Sequence, residues 1–235
     1  IFKPKNSYLI VQNSYDFNEI IEKNLIDRKR LYLIKSSGVN LNEFPFMEEI
    51  NTSVPKVILA SRLLWEKGIK QFVDAAKILK SKRVKVSFVL VGDTHQSNPQ
   101  SVPKKLIEKW VNDGLVEWWG RKENMSEVIS KSKIVCLPTV YGEGVPKILL
   151  ESAATGRALV VSDNPGCTEI VTDRVSGLIA KDGNEKEIAG CIEELLINNE
   201  LRKNLVLEAY DKIVHDFSSD TIVSKTIEIY KKNKI

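Results

Sequence analysis

The sequence has few cysteines, only two histidines and no long hydrophobic run. Its three cysteines, none of them in a C-x-x-C pair, indicate reduced and packed thiols rather than a disulfide framework. Neither His95 nor His215 has a carboxylate or cysteine partner at metal-ligand spacing, so the pattern predicts no metal site. The apolar stretches 86–91 and 134–137 are far shorter than the ~20 residues that span a bilayer. We therefore expect a cytoplasmic protein, with at most peripheral contact at the inner face of the cell membrane.

The charge of the chain is close to balanced. The 235 residues include 35 basic and 31 acidic side chains, which give a net charge of +4. Nucleic-acid-binding proteins concentrate their Lys and Arg, whereas here basic and acidic residues are interspersed. We expect no nucleic-acid partner, although weak attraction to an anionic membrane surface is allowed.

From residue 56 onward, apolar runs alternate with segments of helical periodicity. The predicted strands are residues 57–60, 84–91, 115–119, 134–137, 158–162 and 177–180, and the helices between them are 69–80, 104–112, 126–132 and 146–155. Three more predicted helices follow, at residues 185–198, 200–214 and 221–232. This alternation predicts an α/β fold with a Rossmann-like, doubly wound parallel sheet and a helical C-terminus. Ligands of such sheets bind at the carboxyl ends of the strands.

The first 53 residues have a different organisation. Predicted strands at residues 8–12 and 31–34 flank a predicted helix at residues 15–24, which makes one strand–helix–strand unit. Residues 44–54, bordered by prolines, are typical of a linker. Because the chain begins with Ile1 rather than Met, we expect the N-terminal part of the gene product to be missing.

The segment 141–151 (YGEGVPKILLE) is the most informative of the chain. It follows the apolar run 134–137, and a glycine-rich turn leads to Pro146, a residue well tolerated in the first turn of a helix. The amino end of such a helix attracts a diphosphate. Glu143 precedes the predicted helix and Glu151 lies within it, and carboxylates are strong acceptors for sugar hydroxyls. A nucleotide-sugar offers these groups in the order ribose, diphosphate, hexose.

Glu143 and Glu151 have seven residues between them and are followed by Ser-Ala-Ala-Thr-Gly at 152–156. This pattern resembles the E-x7-E signature of retaining glycosyltransferase family 4, which has the GT-B fold. The resemblance extends from about residue 13 onward. It implies that the chain contains the C-terminal, donor-binding domain of such an enzyme with a remnant of the N-terminal domain.

Arg62 and Lys67, followed by Gly68, resemble the family's R-x4-K-G pattern, whose two cations bind the donor diphosphate. A bidentate guanidinium and an ammonium group can neutralise a pyrophosphate leaving group without a metal ion. The chain also lacks the D-x-D pair by which metal-dependent glycosyltransferases hold their donor. The resemblance therefore implies a metal-independent enzyme without a cofactor. Taken alone, the two cations would be ordinary surface residues at the end of a strand.

The resemblance also implies the remaining donor contacts. Glu151 would bind the ribose hydroxyls, and Glu143 a hydroxyl of the transferred sugar. Backbone positions would complete the donor site: Gly144, Val145 and Pro146 beside the diphosphate and hexose, and Gly92, Gly120 and Arg121 at the ends of the second and third strands of the domain. Gly92 is equally well explained by a tight turn.

We therefore expect three parts in the chain. Residues 1–53 would be a remnant of the acceptor domain with its linker, residues 54–216 the donor-binding domain, and residues 217–235 a C-terminal helix that crosses back to the acceptor domain. The resemblance implies retaining transfer of a hexose or N-acetylhexosamine from a UDP-sugar to a saccharide or lipid-linked glycan in polysaccharide biosynthesis. Because we expect only a remnant of the acceptor domain in this chain, we also expect donor binding with little or no transfer.

Three alternatives remain. The chain could be a nucleotide-sugar-binding fragment without catalysis. It could be a glycoside hydrolase that uses Glu143 and Glu151 as acid and base. A dinucleotide-dependent oxidoreductase is the weakest alternative, because no G-x-G-x-x-G follows a strand.

Overall fold

The structure is a computed structural model that describes residues 7–95, 97–142, 144–181 and 183–233. Within these residues the strands are β1 (Leu9–Val11), β2 (Leu31–Leu33), β3 (Lys56–Ala60), β4 (Ser87–Val91), β5 (Glu117–Trp118), β6 (Ile134–Leu137), β7 (Ala158–Ser162) and β8 (Leu178–Ala180). The helices are α1 (Ser14–Glu22), α2 (Ile69–Ser81), α3 (Lys104–Asn112), α4 (Met125–Ser130), α5 (Lys147–Ala154), α6 (Pro165–Thr168), α7 (Glu185–Ile197), α8 (Asn199–Lys212) and α9 (Ser219–Asn233).

Six strands form one parallel sheet in the order β5-β4-β3-β6-β7-β8. The chain runs outward from β3 through β4 to β5, then returns to the other side of β3 and continues to β8. This reversal confirms the predicted doubly wound, Rossmann-like α/β fold. It creates a crevice between the carboxyl ends of β3 and β6, the point at which open α/β sheets bind their ligands.

The sheet is apolar on both faces because helices cover each of them. Val57 and Leu59 of β3 pack with α2, α3 and α7, whereas Ile58 and Ala60 face the opposite side, against Val128 of α4. Strands β6 and β7 are buried along their whole length, and α5 and α8 pack against their second face. This burial explains why both strands begin and end where their apolar runs predict.

Several predicted strands are shorter than expected, and β4 and β5 differ most, each by three residues. Residues 84–86 stay outside β4 because they complete the end of α2, where Arg83 has a φ of +59° and the Val84 N–H donates to the Leu79 carbonyl (3.0 Å). Strand β5 lies at the edge of the sheet and pairs with β4 at only two positions. Periodicity alone does not reveal where such pairing stops.

The N-terminal residues form a separate unit. Strands β1 and β2 are parallel and make their own two-stranded sheet, with α1 between them in sequence. Helix α9 lies beside this unit, since the Tyr32 hydroxyl contacts the Asn233 side chain (3.1 Å) and the Ser219 N–H donates to the Val39 carbonyl (2.9 Å). The functional division of the chain at residues 53 and 216 stays a prediction. None of the described helices is both long enough and apolar enough to cross a membrane.

Candidate functional site

Four of the predicted site residues line one cleft at the carboxyl edge of the sheet. The cleft has a volume of about 460 Å³ and opens between the ends of β3, β4 and α5. Its lining includes Arg62 after β3, Gly92 after β4, Arg121 after β5 and Glu151 within α5. Residues up to 89 positions apart in the chain (62 and 151) therefore meet where the topology predicts a ligand site.

The cationic side of the cleft is open to solvent. Arg62 and Arg121 are both exposed, and among the described residues no hydrogen bond or ion pair holds the Arg62 guanidinium. Lys67 is half-buried in a 3₁₀ turn (Trp65–Lys67) directly before α2 and is not part of the described cleft lining. Planar guanidinium groups exposed in a cleft are suited to bidentate binding of phosphate.

Glu151 supplies the acidic side of the cleft. Burial raises the pKa of its carboxyl group, and the nearby Lys147 only partly opposes this shift. No described residue donates a hydrogen bond to this carboxylate or forms an ion pair with it. A half-buried carboxylate without a donor is destabilised in the free protein, and hydroxyl groups of a ligand would relieve that cost.

Residues 140–146 are the last part of the connection from β6 to α5 and are called the glycine loop here. Glu143 lies outside the described residues, so the structure gives no position for it. Val145 and Pro146 are buried, whereas Gly144 is exposed. The placement of Pro146 in the first turn was wrong by one residue, because its extended ψ of 123° makes it the cap before α5. The first-turn N–H groups therefore belong to α5 from Lys147 onward.

The glycines at positions 92 and 120 have a backbone explanation. Gly92 has a φ of +135°, and a Cβ atom there would lie 1.9 Å from the Ser61 carbonyl oxygen. Its N–H donates to the carbonyl of Gly120 (2.9 Å), whose own φ is +66°. The two glycines let the ends of β3, β4 and β5 approach one another and so shape the wall of the cleft. Gly120 and the glycine-loop positions 144–146 lie outside the described lining.

The N-terminal unit lies next to the glycine loop. A Cβ atom at Gly144 would lie 3.4 Å from the Oε1 atom of Gln12, which follows β1. On the neighbouring side, Glu169 accepts a hydrogen bond from the Ser14 N–H (2.6 Å) and pairs with Lys35 (2.6 Å). Although partial burial opposes it, this ion pair keeps the pKa of Glu169 below its usual value. An ionised Glu169 thus fastens the N-terminal unit beside the site.

Sequence reasoning missed a buried hydroxyl at the edge of the site. Thr139 follows β6 by two positions and is fully buried, with hydrogen bonds to the loops on both sides. A hydroxyl residue directly after an apolar strand and Pro138 was the available signal. Among the described residues there is no cluster of three or more His, Cys, Asp or Glu side chains placed to hold a metal ion.

The doubly wound parallel sheet, with exposed arginines in a cleft at its carboxyl edge, defines the class of this protein as an α/β protein with a Rossmann-like ligand-binding fold. Residues 42–212 match the family model described as "Glycosyl transferases group 1". This match covers most of the chain, which therefore belongs to that family.

Relatives of known structure or activity are similar over nearly the whole chain. One is the N,N'-diacetylbacillosaminyl-diphospho-undecaprenol alpha-1,3-N-acetylgalactosaminyltransferase of Campylobacter jejuni, 31% identical over 98% of this chain and 61% of the relative. The crystal structure of a glycosyltransferase from Rickettsia africae matches with a TM-score of 0.84 and 20% identity, over 97% of this chain and 64% of that one. The crystal structure of Anabaena HepE in complex with UDP matches with a TM-score of 0.83 and 19% identity, over 96% of this chain and 64% of that one. The chain thus spans less than two thirds of each relative.

Proposed function

We propose that this chain is the donor-binding part of a retaining, metal-independent glycosyltransferase that uses a UDP-sugar. The observation that carries the proposal is the cleft at the carboxyl edge of the sheet, beside the switch point, which brings Arg62, Arg121 and Glu151 together. The UDP bound in HepE, a protein of the same fold, supports the choice of nucleotide.

In this proposal the diphosphate lies between Arg62 and the amino end of α5, with Lys67 as a second cation. As the bond between the anomeric carbon and the diphosphate oxygen breaks, the two cations and the helix dipole stabilise the charge that develops on the leaving group. The acceptor hydroxyl forms the new bond on the same face of the sugar and gives its proton to the departing diphosphate, so no protein nucleophile is needed. The protein acts by positioning and by leaving-group stabilisation.

Two carboxylates orient the donor in the same proposal. Glu151 accepts hydrogen bonds from the ribose hydroxyls, and Glu143 accepts one from the transferred sugar. The backbones of Gly144, Val145 and Pro146 lie along the diphosphate and the sugar, and those of Gly92, Gly120 and Arg121 along the base.

The acceptor we propose is a saccharide or a lipid-linked glycan, and the transferred group is a hexose or N-acetylhexosamine. The name of the Campylobacter jejuni relative, which includes an undecaprenol-linked acceptor and N-acetylgalactosaminyl transfer, supports both choices. With such an acceptor the protein would act in polysaccharide biosynthesis and make peripheral contact with the membrane.

Calorimetric titration with UDP, GDP and ADP in EDTA tests the donor site. We expect selective UDP binding that Arg62→Ala weakens about tenfold, because one charge-assisted contact is lost. Arg174→Ala is the matched control, since Arg174 is an exposed arginine whose partner, Glu194, lies away from the cleft. Equal weakening by both variants, or no binding of any nucleotide, would refute the proposed donor site.

The ribose contact has its own test. If Glu151 accepts from the ribose, 2′-deoxy-UDP should bind more weakly than UDP to the unsubstituted chain, and Glu151→Gln should reduce that difference. Transfer from UDP-N-acetylgalactosamine to a lipid-linked saccharide would then separate a competent enzyme from a fragment that only binds the donor.

A further inference from the structure

The loops that follow β3, β6 and β7 meet at one buried threonine. Thr139 has no exposed surface and belongs to the loop that leads from β6 into α5. The loop after β3 carries Arg62 and Lys67, and the loop after β7 begins at Asp163. Thr139 is thus in contact, through its side chain or its backbone, with three neighbouring loops at the carboxyl edge of the sheet.

The hydroxyl of Thr139 bridges the first two loops. Its Oγ1 atom lies 3.0 Å from the carbonyl oxygen of Glu66, inside the 3₁₀ turn, and 3.2 Å from that of Tyr141, in the glycine loop. A hydroxyl has a single proton, so it donates to one of these two carbonyls at a time. The Val140 N–H donates to the same Glu66 carbonyl (2.9 Å) and makes a second link.

The carbonyl group of Thr139 holds the third loop. It accepts hydrogen bonds from the Ser162 hydroxyl and from the Asn164 side-chain amide, both at 2.5 Å. Ser162 is itself buried. The two hydrogen bonds to its carbonyl thus hold Thr139 in place from the β7 side. The hydroxyl of the same residue contacts the turn that contains Glu66.

The 3₁₀ turn also approaches β6 closely at its other end. Gly68 has a φ of +74°, and a Cβ atom there would lie 1.9 Å from the carbonyl oxygen of Pro138. The turn that carries Lys67 is thus pressed against the residue next to Thr139. Together, the Thr139 hydroxyl and the Val140 N–H reach the Glu66 carbonyl and hold this turn beside the glycine loop.

We propose that Thr139 is a positioning residue for the donor diphosphate. Its hydroxyl holds the turn with Lys67 and the glycine loop in one arrangement, so that the cation and the amino end of α5 face the same phosphates. This role rests on the proposed function. It concerns the diphosphate and not the nucleoside, because the ribose is assigned to Glu151, on the far side of the first turn of α5.

The test compares UDP with uridine on three variants. Thr139→Val keeps the shape of the side chain and removes the donor, Thr139→Ser restores the donor, and Ser132→Ala is the control. Ser132 is a buried hydroxyl near the amino end of the same strand, and it donates to the Ile129 carbonyl (2.7 Å). UDP affinity is measured by calorimetry, and uridine affinity by ligand-observed NMR.

We expect Thr139→Val to weaken UDP binding about tenfold while uridine affinity changes less than about twofold. Thr139→Ser should restore UDP affinity to within about threefold of the original. Ser132→Ala should leave both affinities unchanged. If the valine variant does not fold, Thr139→Cys, which keeps a weak S–H donor, should bind UDP with intermediate affinity and uridine normally.

The outcomes separate the two proposals. Equal losses for UDP and uridine, or unchanged UDP affinity in Thr139→Val, would overturn the role of Thr139 and leave the donor site intact. Absence of UDP binding by the unsubstituted chain would overturn the proposed function together with this role.

Discussion

Cations at the two edges of the sheet have opposite surroundings. At the amino edge, Arg157 precedes β7 and is buried, with its guanidinium donating to the carbonyls of Met47 (2.5 Å) and Ser132 (3.2 Å). At the carboxyl edge, Arg62 and Arg121 are exposed in the cleft. The same residue type therefore fixes the linker at one edge and is left available for a ligand at the other.

Glu49 is a second difference between the two edges, because it forms ion pairs with two cations at the amino edge. It pairs with Lys133, which precedes β6 (2.6 Å), and with the buried Arg202 of α8 (2.8 Å). In the described part of the cleft, Glu151 has no such partner. Removing one partner of a charge pair inside the protein is destabilising because the other charge stays buried and uncompensated, whereas an unpaired charge in a cleft costs stability and is available for binding.

Removal of a paired cation should have the largest effect. We expect Arg202→Met to lower the free energy of unfolding by about 3 kcal/mol, because it leaves Glu49 partly buried beside a single cation. Arg174→Met removes an exposed pair with Glu194 and should cost less than about 1 kcal/mol. Urea denaturation measures the free energy of unfolding of both variants. If both lose similarly little stability, the paired cations at the amino edge do not stabilise the fold as we expect.

The backbone at the carboxyl edge should tolerate substitution poorly. Gly92→Ala places a Cβ atom against the Ser61 carbonyl at a positive φ, and we expect a loss of about 2 kcal/mol. Gly190→Ala is the control with the opposite sign: Gly190 lies inside α7 with open space around it, so alanine should stabilise by about 0.5–1 kcal/mol. Thermal unfolding of both variants checks the prediction; a stable Gly92→Ala protein would show that the wall of the cleft can move.

The ion pairs of Glu49 should make the stability of the protein depend on pH. Burial opposes ionisation, but the ion pairs with Arg202 and Lys133 outweigh it and lower the pKa of Glu49 from 4.5. The resulting stability is present above that value and is lost as the pH falls through the lower, folded-state pKa. We expect Glu49→Gln to cost about 1–2 kcal/mol at pH 7 and much less at pH 3, as measured by urea denaturation at each pH. A cost independent of pH would mean that packing, not charge, explains the loss.

Glu151 should show the opposite sign and the smallest effect. Because burial raises the pKa of its carboxyl group above 4.5, the folded protein holds the proton more tightly, and stability falls as the pH rises from 4.5 through the folded-state pKa. We expect Glu151→Gln to stabilise the free chain by up to about 1 kcal/mol at pH 7, with no gain at pH 3, while UDP binding weakens. If Glu151→Gln were less stable than the unsubstituted chain at pH 7, the ionised Glu151 would not destabilise the free protein as we expect of a binding residue.

Much of the fold could be predicted because its signals are local. The apolar runs at 134–137 and 158–162 match β6 and β7, and the residues of the helix at 104–112 match α3. The alternation of strands and helices also predicted the parallel, doubly wound sheet, but the position of its switch point came only from the strand order in the structure. The length of the edge strand β5 was overestimated, because it depends on how far β5 pairs with β4.

The site was predicted in part. Arg62, Gly92, Arg121 and Glu151 lie together in the cleft, whereas the roles of all the predicted residues, including Glu143, stay predictions. Sequence reasoning missed Arg157, Arg202 and Thr139 because each has a partner far away along the chain, namely Met47, Glu49 and Glu66. A charged residue directly before an apolar strand, as at Arg157, was the available signal for a cation bound inside the protein.

Hydrogen–deuterium exchange with and without UDP tests most directly whether the ligand uses the carboxyl edge. We predict slower exchange in the segments that follow β3, β5 and β6, and unchanged exchange at residues 46–51, where the linker is held by paired cations. Protection at residues 46–51 with none after β3 and β6 would contradict this prediction, because UDP would then bind at the edge that we assign to structure.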